Sequence, residues 1–210
     1  MAAEDHGYDR SFLSSLGAMG RFNPDDVPVD ALQARFVLCS GYFLLPGMQG
    51  EATGRLLAEA RRHGAVTAVD TGHPDGGWSD QVRAELFEHV LPHTDLLLPN
   101  ESELVGLTGI QELDEAARHL SARTGATVVA KLGANGAMLC TDGQVIRVEA
   151  PRVEAVDTTG AGDAFNAAFL AALHQGNSNE TALSVAVRTA SELVATAPQE
   201  RAAVLRGRQG

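Results

Sequence analysis

Cationic side chains are scarce in this chain: 16 Lys and Arg stand against 27 Asp and Glu in 210 residues, a formal charge of -11 and a pI near 5.0. A surface of that sign repels nucleic acid and anionic membranes, so neither is expected as a general partner. Long apolar runs are also missing; no stretch approaches the roughly 18 residues of a spanning helix. The first ten residues, MAAEDHGYDR, are polar and acidic with no secretory core, which leads us to expect a cytoplasmic protein. Only two cysteines occur. Cys39 and Cys140 sit inside apolar strand-like runs, which argues for buried free thiols and against a disulfide framework. The seven histidines form no metal pattern, since Pro92 interrupts the one helical pair, His89 and His93. Neither an internal repeat nor a low-complexity segment is present. A Walker-type phosphate loop is absent as well.

What remains is an alternation of strand and helix patterns, with 44% hydrophobic and 20% charged residues, enough for one sizeable core. Phe36 to Ser40 reads as a buried strand, and Glu51 to His63 as a helix stopped by Gly64. Ala65 to Asp70 is the next strand. The loop Thr71 to Trp78 is turn-rich, and Ser79 is a cap for a helix over Asp80 to Leu91. Leu96 to Pro99, a helix over Leu113 to Thr124, and a strand over Ala126 to Leu132 complete the unit. Such continuous apolar strands suit an α/β fold with a mostly parallel sheet covered on both faces. Asp142-Gly143 between 136–141 and 144–149 is a hairpin signal, which adds an antiparallel extension. Two helices, about 163–175 and about 180–196, close the pattern.

The most informative segment is Asp157-Thr158-Thr159-Gly160-Ala161-Gly162-Asp163-Ala164-Phe165. The following run AFNAAFLAAL is helix-forming, so Gly-Ala-Gly opens a helix. Glycine permits close backbone approach, and first-turn amides with the positive dipole end favour an anion. Gly160, Ala161 and Gly162 are therefore candidate anion-hole donors. Asp163, at the same helix start, has the chemistry to accept or orient the proton of an attacking hydroxyl, as in kinase-type transfer. The alternative is that Asp157 or Thr158 caps the helix and the glycines make a tight turn. A dinucleotide fingerprint is disfavoured because Phe165 stands where a third glycine or alanine belongs.

DTTGAGDAF resembles the C-terminal signature of the PfkB, or ribokinase-like, carbohydrate kinases. Pro99-Asn100-Glu101-Ser102-Glu103 is similar to the family's Asn-x-x-Glu motif, and Lys131-Leu132-Gly133-Ala134-Asn135-Gly136 to its nucleotide loop. Arg10 to Leu13 and Ser40 to Pro46 resemble a lid-strand end and the strand that re-enters the main domain. The resemblance implies a ribokinase-like three-layer sandwich with ATP and Mg²⁺, and a division into residues 1–35, residual lid strand and linker, and 36–210, nucleotide-binding kinase domain. It implies that Asn100 and Glu103 arrange Mg²⁺ and its waters, with Asn100 as a mere helix cap the competing view. Lys131, Gly133 and Gly136 fall in the nucleotide loop, where the two glycines also serve as turn residues. Asp157 and Thr159 match positions that bind a monovalent cation, possible potassium ligands. The pattern departs at Thr196 to Glu200, where Gln199 replaces an expected glycine.

Such kinases run to about three hundred residues and begin with acceptor-binding strands. This chain has no counterpart of them, so the expectation is an N-terminally truncated member: a fragment, or a short relative without the sugar-binding half. The function expected is phosphorylation of a sugar hydroxyl. The alternatives are a nucleoside kinase and a non-catalytic nucleotide-binding fragment. A homodimer through lid strands is a weak expectation. Trp78, behind Asp70-Thr71-Gly72-His73, either packs under a helix or stacks on a sugar, with packing preferred.

Overall fold

Six strands form one sheet whose order follows the chain. The computed structural model describes residues 17–201. β1 (Phe36–Ser40), β2 (Val66–Asp70), β3 (Leu96–Leu97) and β4 (Thr127–Lys131) run parallel; β5 (Ala137–Thr141) and β6 (Gln144–Val148) return antiparallel. The helices between parallel strands are α1 (Glu51–Arg62), α2 (Asp80–Glu85), α3 (Glu101–Thr108) and α4 (Leu113–Thr124). After the hairpin come α5 (Ala161–His174) and α6 (Asn179–Ala195).

Side-chain alternation along the strands explains the three layers. Val69, Leu97, Val128, Ala130 and Met138 join Leu57 of α1, Leu104 and Leu107 of α3 and Leu120 of α4 in one core. Their neighbours Ala68, Leu96, Leu98, Val129 and Leu139 join Phe165 and Phe169 of α5 and Leu183 and Val187 of α6 in the other. A sheet laid down in chain order keeps its crossover helices on one face, because successive crossovers share one hand. The opposite face is left for α5 and α6.

The hairpin forms where expected, with Asp142 (φ 50°) and Gly143 (φ 75°) both left-handed. Cys39 and Cys140 are free, and burial pushes both thiols up, away from the reactive thiolate. No helix among the described residues is long and apolar enough to cross a membrane.

Three details differ from the sequence pattern. The helix expected over Asp80 to Leu91 is regular only to Glu85, then widens into a π turn (Leu86–Val90) and tightens into a 3-10 turn at Leu91–His93. Pro92, without an N–H, prevents the α ladder from continuing. β3 is short because Pro99 has no donor and Asn100 already starts α3, although Leu98 N–H still reaches the Val69 carbonyl (2.8 Å). The segment Ser40 to Pro46 is not one strand: Gly41 turns left-handed (φ 66°) and 3-10 turns follow. Arg10 to Leu13 lie outside the described residues, and residues 19–33 contribute three 3-10 turns, of which Leu32 packs against Ala60 and Ala65.

Gly54 shows how tightly α1 seats on the π turn. A Cβ there would stand 2.1 Å from the His89 carbonyl oxygen. Alanine usually stabilises a helix interior relative to glycine by about 1 kcal/mol; here the sign should reverse. Gly54→Ala is expected to lower unfolding free energy by about 1–3 kcal/mol in denaturant titration, and an unchanged or raised midpoint would refute the close packing.

Candidate active site

The site is built on the C-terminal edge of the parallel strands, where open α/β sheets present ligands. Asp70 ends β2, Lys131 ends β4, and an isolated bridge pairs Asn100 with Lys131 just beyond β3. α5 lies over this edge with its N-terminus inward.

Gly160 enters α5 in the left-handed conformation (φ 79°), which a side chain would resist. The preceding loop is fixed by Asp157 Oδ1, which accepts the Thr159 N–H (3.0 Å) and Thr159 Oγ1–H (2.8 Å). The amides of Val156 and Asp157 donate to the Val194 carbonyl, tying the loop to α6. Helix α5 starts at Ala161, earlier than the pattern suggested. Ala161 N–H is spent on Thr158 O (3.2 Å), while the amides of Gly162 and Asp163 have no acceptor among the described residues. The Gly160 amide likewise has no acceptor among the described residues, so of the Gly160–Gly162 set only the Ala161 donor is spent, and the others face the end of a helix dipole that favours an anion. The Asp163 side chain is exposed.

Beneath this N-terminus opens a cavity of about 680 Å³. Asn100, Glu103, Lys131, Gly133 and Gly136 line it, together with Ala161 and Gly162; Asp157, Thr159, Gly160 and Asp163 do not. Its far wall is apolar, from Val187, Ala190 and Val194 of α6 and Pro151 and Val153 after β6. Gly136 is obligatory: at φ 88° a Cβ would lie 2.0 Å from the Val148 carbonyl oxygen. It closes a turn with Gly133 and borders the cavity at once.

Lys131 is the only lysine of the chain. Its ammonium donates to Asp70 Oδ2 (2.7 Å) and lies 3.5 Å from Asn166 Oδ1, and Asn166 donates its own Nδ2–H to Asp70. Both charged side chains are nearly buried, at 15% and 13% exposure. A Cβ on Gly162 would stand 3.9 Å from Nζ, so the ammonium sits directly beside the α5 N-terminus. Sequence reading missed Asp70 as a site residue and missed Asn166. A carboxylate ending the apolar run AVTAVD, and an amide inside the apolar helix face of AFNAAF, were the available signals.

Asn100 and Glu103 form a reciprocal capping box. Asn100 Oδ1 accepts Glu103 N–H (2.9 Å), and Glu103 Oε2 accepts Asn100 N–H (3.0 Å). The cap reading of Asn100 is therefore realised, alongside a place on the cavity wall. Glu103 is only 4% exposed. Burial pushes its carboxyl up and the nearby Asp70 adds to this, against the opposing pull of the Asn100 amide and Lys131. Among the described residues no group of three or more His, Cys, Asp or Glu could hold a metal unaided. With so few donors, Asn100 and Glu103 would suit a Mg²⁺ that keeps most of its waters, which would supply charge stabilisation for phosphate groups. Trp78 packs on Gly106 of α3, where a Cβ would fall 2.2 Å from the indole, and edge-on to Phe43.

A three-layer α/β sandwich with a helix N-terminus over the strand ends is the ribokinase-like kinase fold. The chain belongs to the pfkB family of carbohydrate kinases, whose family model matches residues 1–199. It is 41% identical over 165 residues to a 1-phosphofructokinase of Haloferax volcanii, covering 76% of this chain and 50% of that one. It is 31% identical to a 2-dehydro-3-deoxygalactonokinase of the same organism, covering 95% and 65%. An adenosine kinase of Schizosaccharomyces pombe is 26% identical over 84% of this chain and 56% of its own length. The chain thus spans about half to two thirds of the length of these relatives. Among solved structures, a ribokinase II-like protein from E. coli held with ATP and Mg²⁺ superposes with a TM-score of 0.73 at 24% identity, over 85% of this chain and 58% of that one. An aminoimidazole riboside kinase from Salmonella enterica, complexed with aminoimidazole riboside and an ATP analogue, gives 0.67 at 26% identity over 83% and 61%.

Two outcomes test this geometry. Lys131→Met strands a nearly buried carboxylate and is expected to cost about 3 kcal/mol in chemical denaturation. Adding Asp70→Asn should recover part of that loss, and strictly additive losses would sink the clamp. For Glu103 the raised carboxyl means the folded state favours the protonated form. That contribution is full below the ordinary glutamate range and is lost as pH rises through the raised value. Glu103→Gln, which keeps the cap, should flatten the decline of stability across that window; an unchanged pH profile would remove Glu103 as its source.

Proposed function

We propose that this chain carries the nucleotide side of an ATP-dependent kinase that phosphorylates a sugar hydroxyl. The observation that carries the reading is the junction of three features at one point: the orphan amides at the α5 N-terminus, the sole lysine beside them, and a cavity with an apolar far wall. In this reading a flat purine lies against Val187, Ala190 and Val194, and its phosphates run past Gly133 and Gly136 toward α5. The Lys131 ammonium and Mg²⁺, carried through water on Asn100 and Glu103, offset the phosphate charge. The amides of Gly160, Gly162 and Asp163 stabilise the migrating phosphoryl group. Asp163 accepts or orients the proton of the acceptor hydroxyl. The cavity suits ATP because one lining combines the charged and polar groups of Asn100, Glu103 and Lys131 with the apolar side chains of Val187, Ala190 and Val194. The ATP and Mg²⁺ held by the E. coli neighbour support the same ligands here.

Two other readings have specific support. A nucleoside kinase is supported by the adenosine and riboside kinases among the relatives. A nucleotide-binding piece without its own acceptor pocket is supported by the exposure of Asp163.

Asp163→Asn should reduce sugar-dependent ADP release by about 10²–10⁴-fold while Mg-ATP affinity in calorimetry stays near that of the parent. Near-normal phosphorylation by the variant would end the base assignment. A panel of hexoses, pentoses, adenosine and inosine separates the sugar and nucleoside readings. Mg-ATP binding with no acceptor-dependent ADP release across the panel marks the binding-only reading.

A further inference from the structure

A second cation stands beside the α5 N-terminus, brought there by the turn after α6. Arg201 donates Nε–H to the Thr196 carbonyl (3.1 Å), Nη1–H to the Thr159 carbonyl (2.8 Å) and Nη2–H to the Asp157 carbonyl (2.5 Å). Nη2 also lies 3.4 Å from Asp157 Oδ2. Three main-chain oxygens and a carboxylate, from segments 42 and 44 residues upstream and from the adjacent turn, converge on one planar group. The Arg201 side chain is 14% exposed, in contrast to the 70% of Arg55 in the surface pair with Glu51.

Carbonyl and carboxylate oxygens gathered around one point make a donor set for a hard cation. The resemblance in sequence implies a monovalent ion at Asp157 and Thr159, yet here their main-chain oxygens are committed to a guanidinium. A guanidinium offers five N–H donors in a fixed fork and no acceptor, is always charged, and matches several oxygens at once. We infer that Arg201 is the built-in cation of this loop: a positioning residue that locks residues 157–159 and holds permanent positive charge next to the phosphate-binding amides, so that nucleotide binding needs no potassium. The inference rests on the phosphate-site reading above.

The test compares Mg-ATP affinity by calorimetry, and the thermal midpoint without nucleotide, in tetramethylammonium and potassium chloride at equal ionic strength. For the parent protein neither should respond to potassium, with affinity changing by less than about twofold. Arg201→Ala should bind Mg-ATP about tenfold more weakly in tetramethylammonium, and potassium or methylguanidinium should restore part of that affinity. Arg201→Lys should keep part of the affinity, as a point charge without the fork. The midpoint of Arg201→Ala should rise with potassium or methylguanidinium even with no nucleotide present, while that of the parent should not. This second readout separates the two readings: absent Mg-ATP binding in the parent would defeat the phosphate site, whereas the cation response of the variant reports on the loop alone. Potassium-dependent tightening in the parent, or an Arg201→Ala variant whose midpoint answers to neither cation, would overturn the inference.

Discussion

The clamp of Lys131 between Asp70 and Asn166 joins every layer that makes the site. Asp70 belongs to β2, Lys131 to β4 and Asn166 to α5, so three side chains tie the sheet's C-terminal edge to the helix that covers it. A bare ammonium under a helix N-terminus would be repelled by the positive end of the dipole; the Asp70 carboxylate offsets both. The pair is nearly buried, so its mutual attraction is little screened by salt, and the desolvation of each charge is met by a specific partner. Net stability from such a pair is modest. What it fixes is position, because drift of α5 over the sheet would strip the nearly buried Asp70 carboxylate of the Asn166 amide donor.

The same arrangement explains how an acidic chain can offer an anion site. The formal charge of -11 is a sum over the whole chain and does not fix the potential at one site. At the α5 N-terminus, Lys131 below and Arg201 behind the 157–159 loop bring two cations to one place, and helix amides add partial positive charge. Local field at short range outweighs a screened surface average beyond about 8–10 Å at physiological salt. Glu103 completes the pattern from the other side. Its carboxyl group is held by the capping box close to this positive ground and is not exposed to bulk solvent.

Much of this was legible in the sequence because each element carried its own local signal. The parallel strands read as unbroken apolar runs, the hairpin as Asp142-Gly143, the α5 start as Gly-Ala-Gly before a run of helix formers, and Ser79 as the α2 cap. Asn100, Glu103, Lys131, Gly133, Gly136 and Gly162, drawn from three distant segments, do share one cavity. What stayed hidden depended on tertiary contact. Asp70 and Asn166 carry only a polar group out of place in an apolar run as a local mark and Arg201 carries none, since their partners lie 61, 96 and 42 residues away in sequence. The π turn at Leu86 to Val90 answers to Gly54 of another helix as much as to Pro92. The loss of the Ala161 donor arose because the Thr158 carbonyl captures its N–H, a turn detail that spacing does not encode.

Asp163 sets the physical division of labour. The cavity of about 680 Å³ is lined by Asn100, Glu103, Lys131, Gly162 and the apolar side chains of α6, while the Asp163 carboxylate on the same helix turn remains in water. A base in open solvent does little for a phosphoryl transfer, since water competes both for its proton contact and for the phosphoryl group. Productive chemistry therefore needs an acceptor wall over Asp163 that the cavity-lining residues do not supply. In the proposed reading nucleotide binding does not need it, because the amides, Lys131 and the apolar wall are held by the sheet and by α5 and α6. Binding and transfer are then separable: the first rests on the covered strand edge, and the second on an acceptor wall over the exposed turn at Asp163.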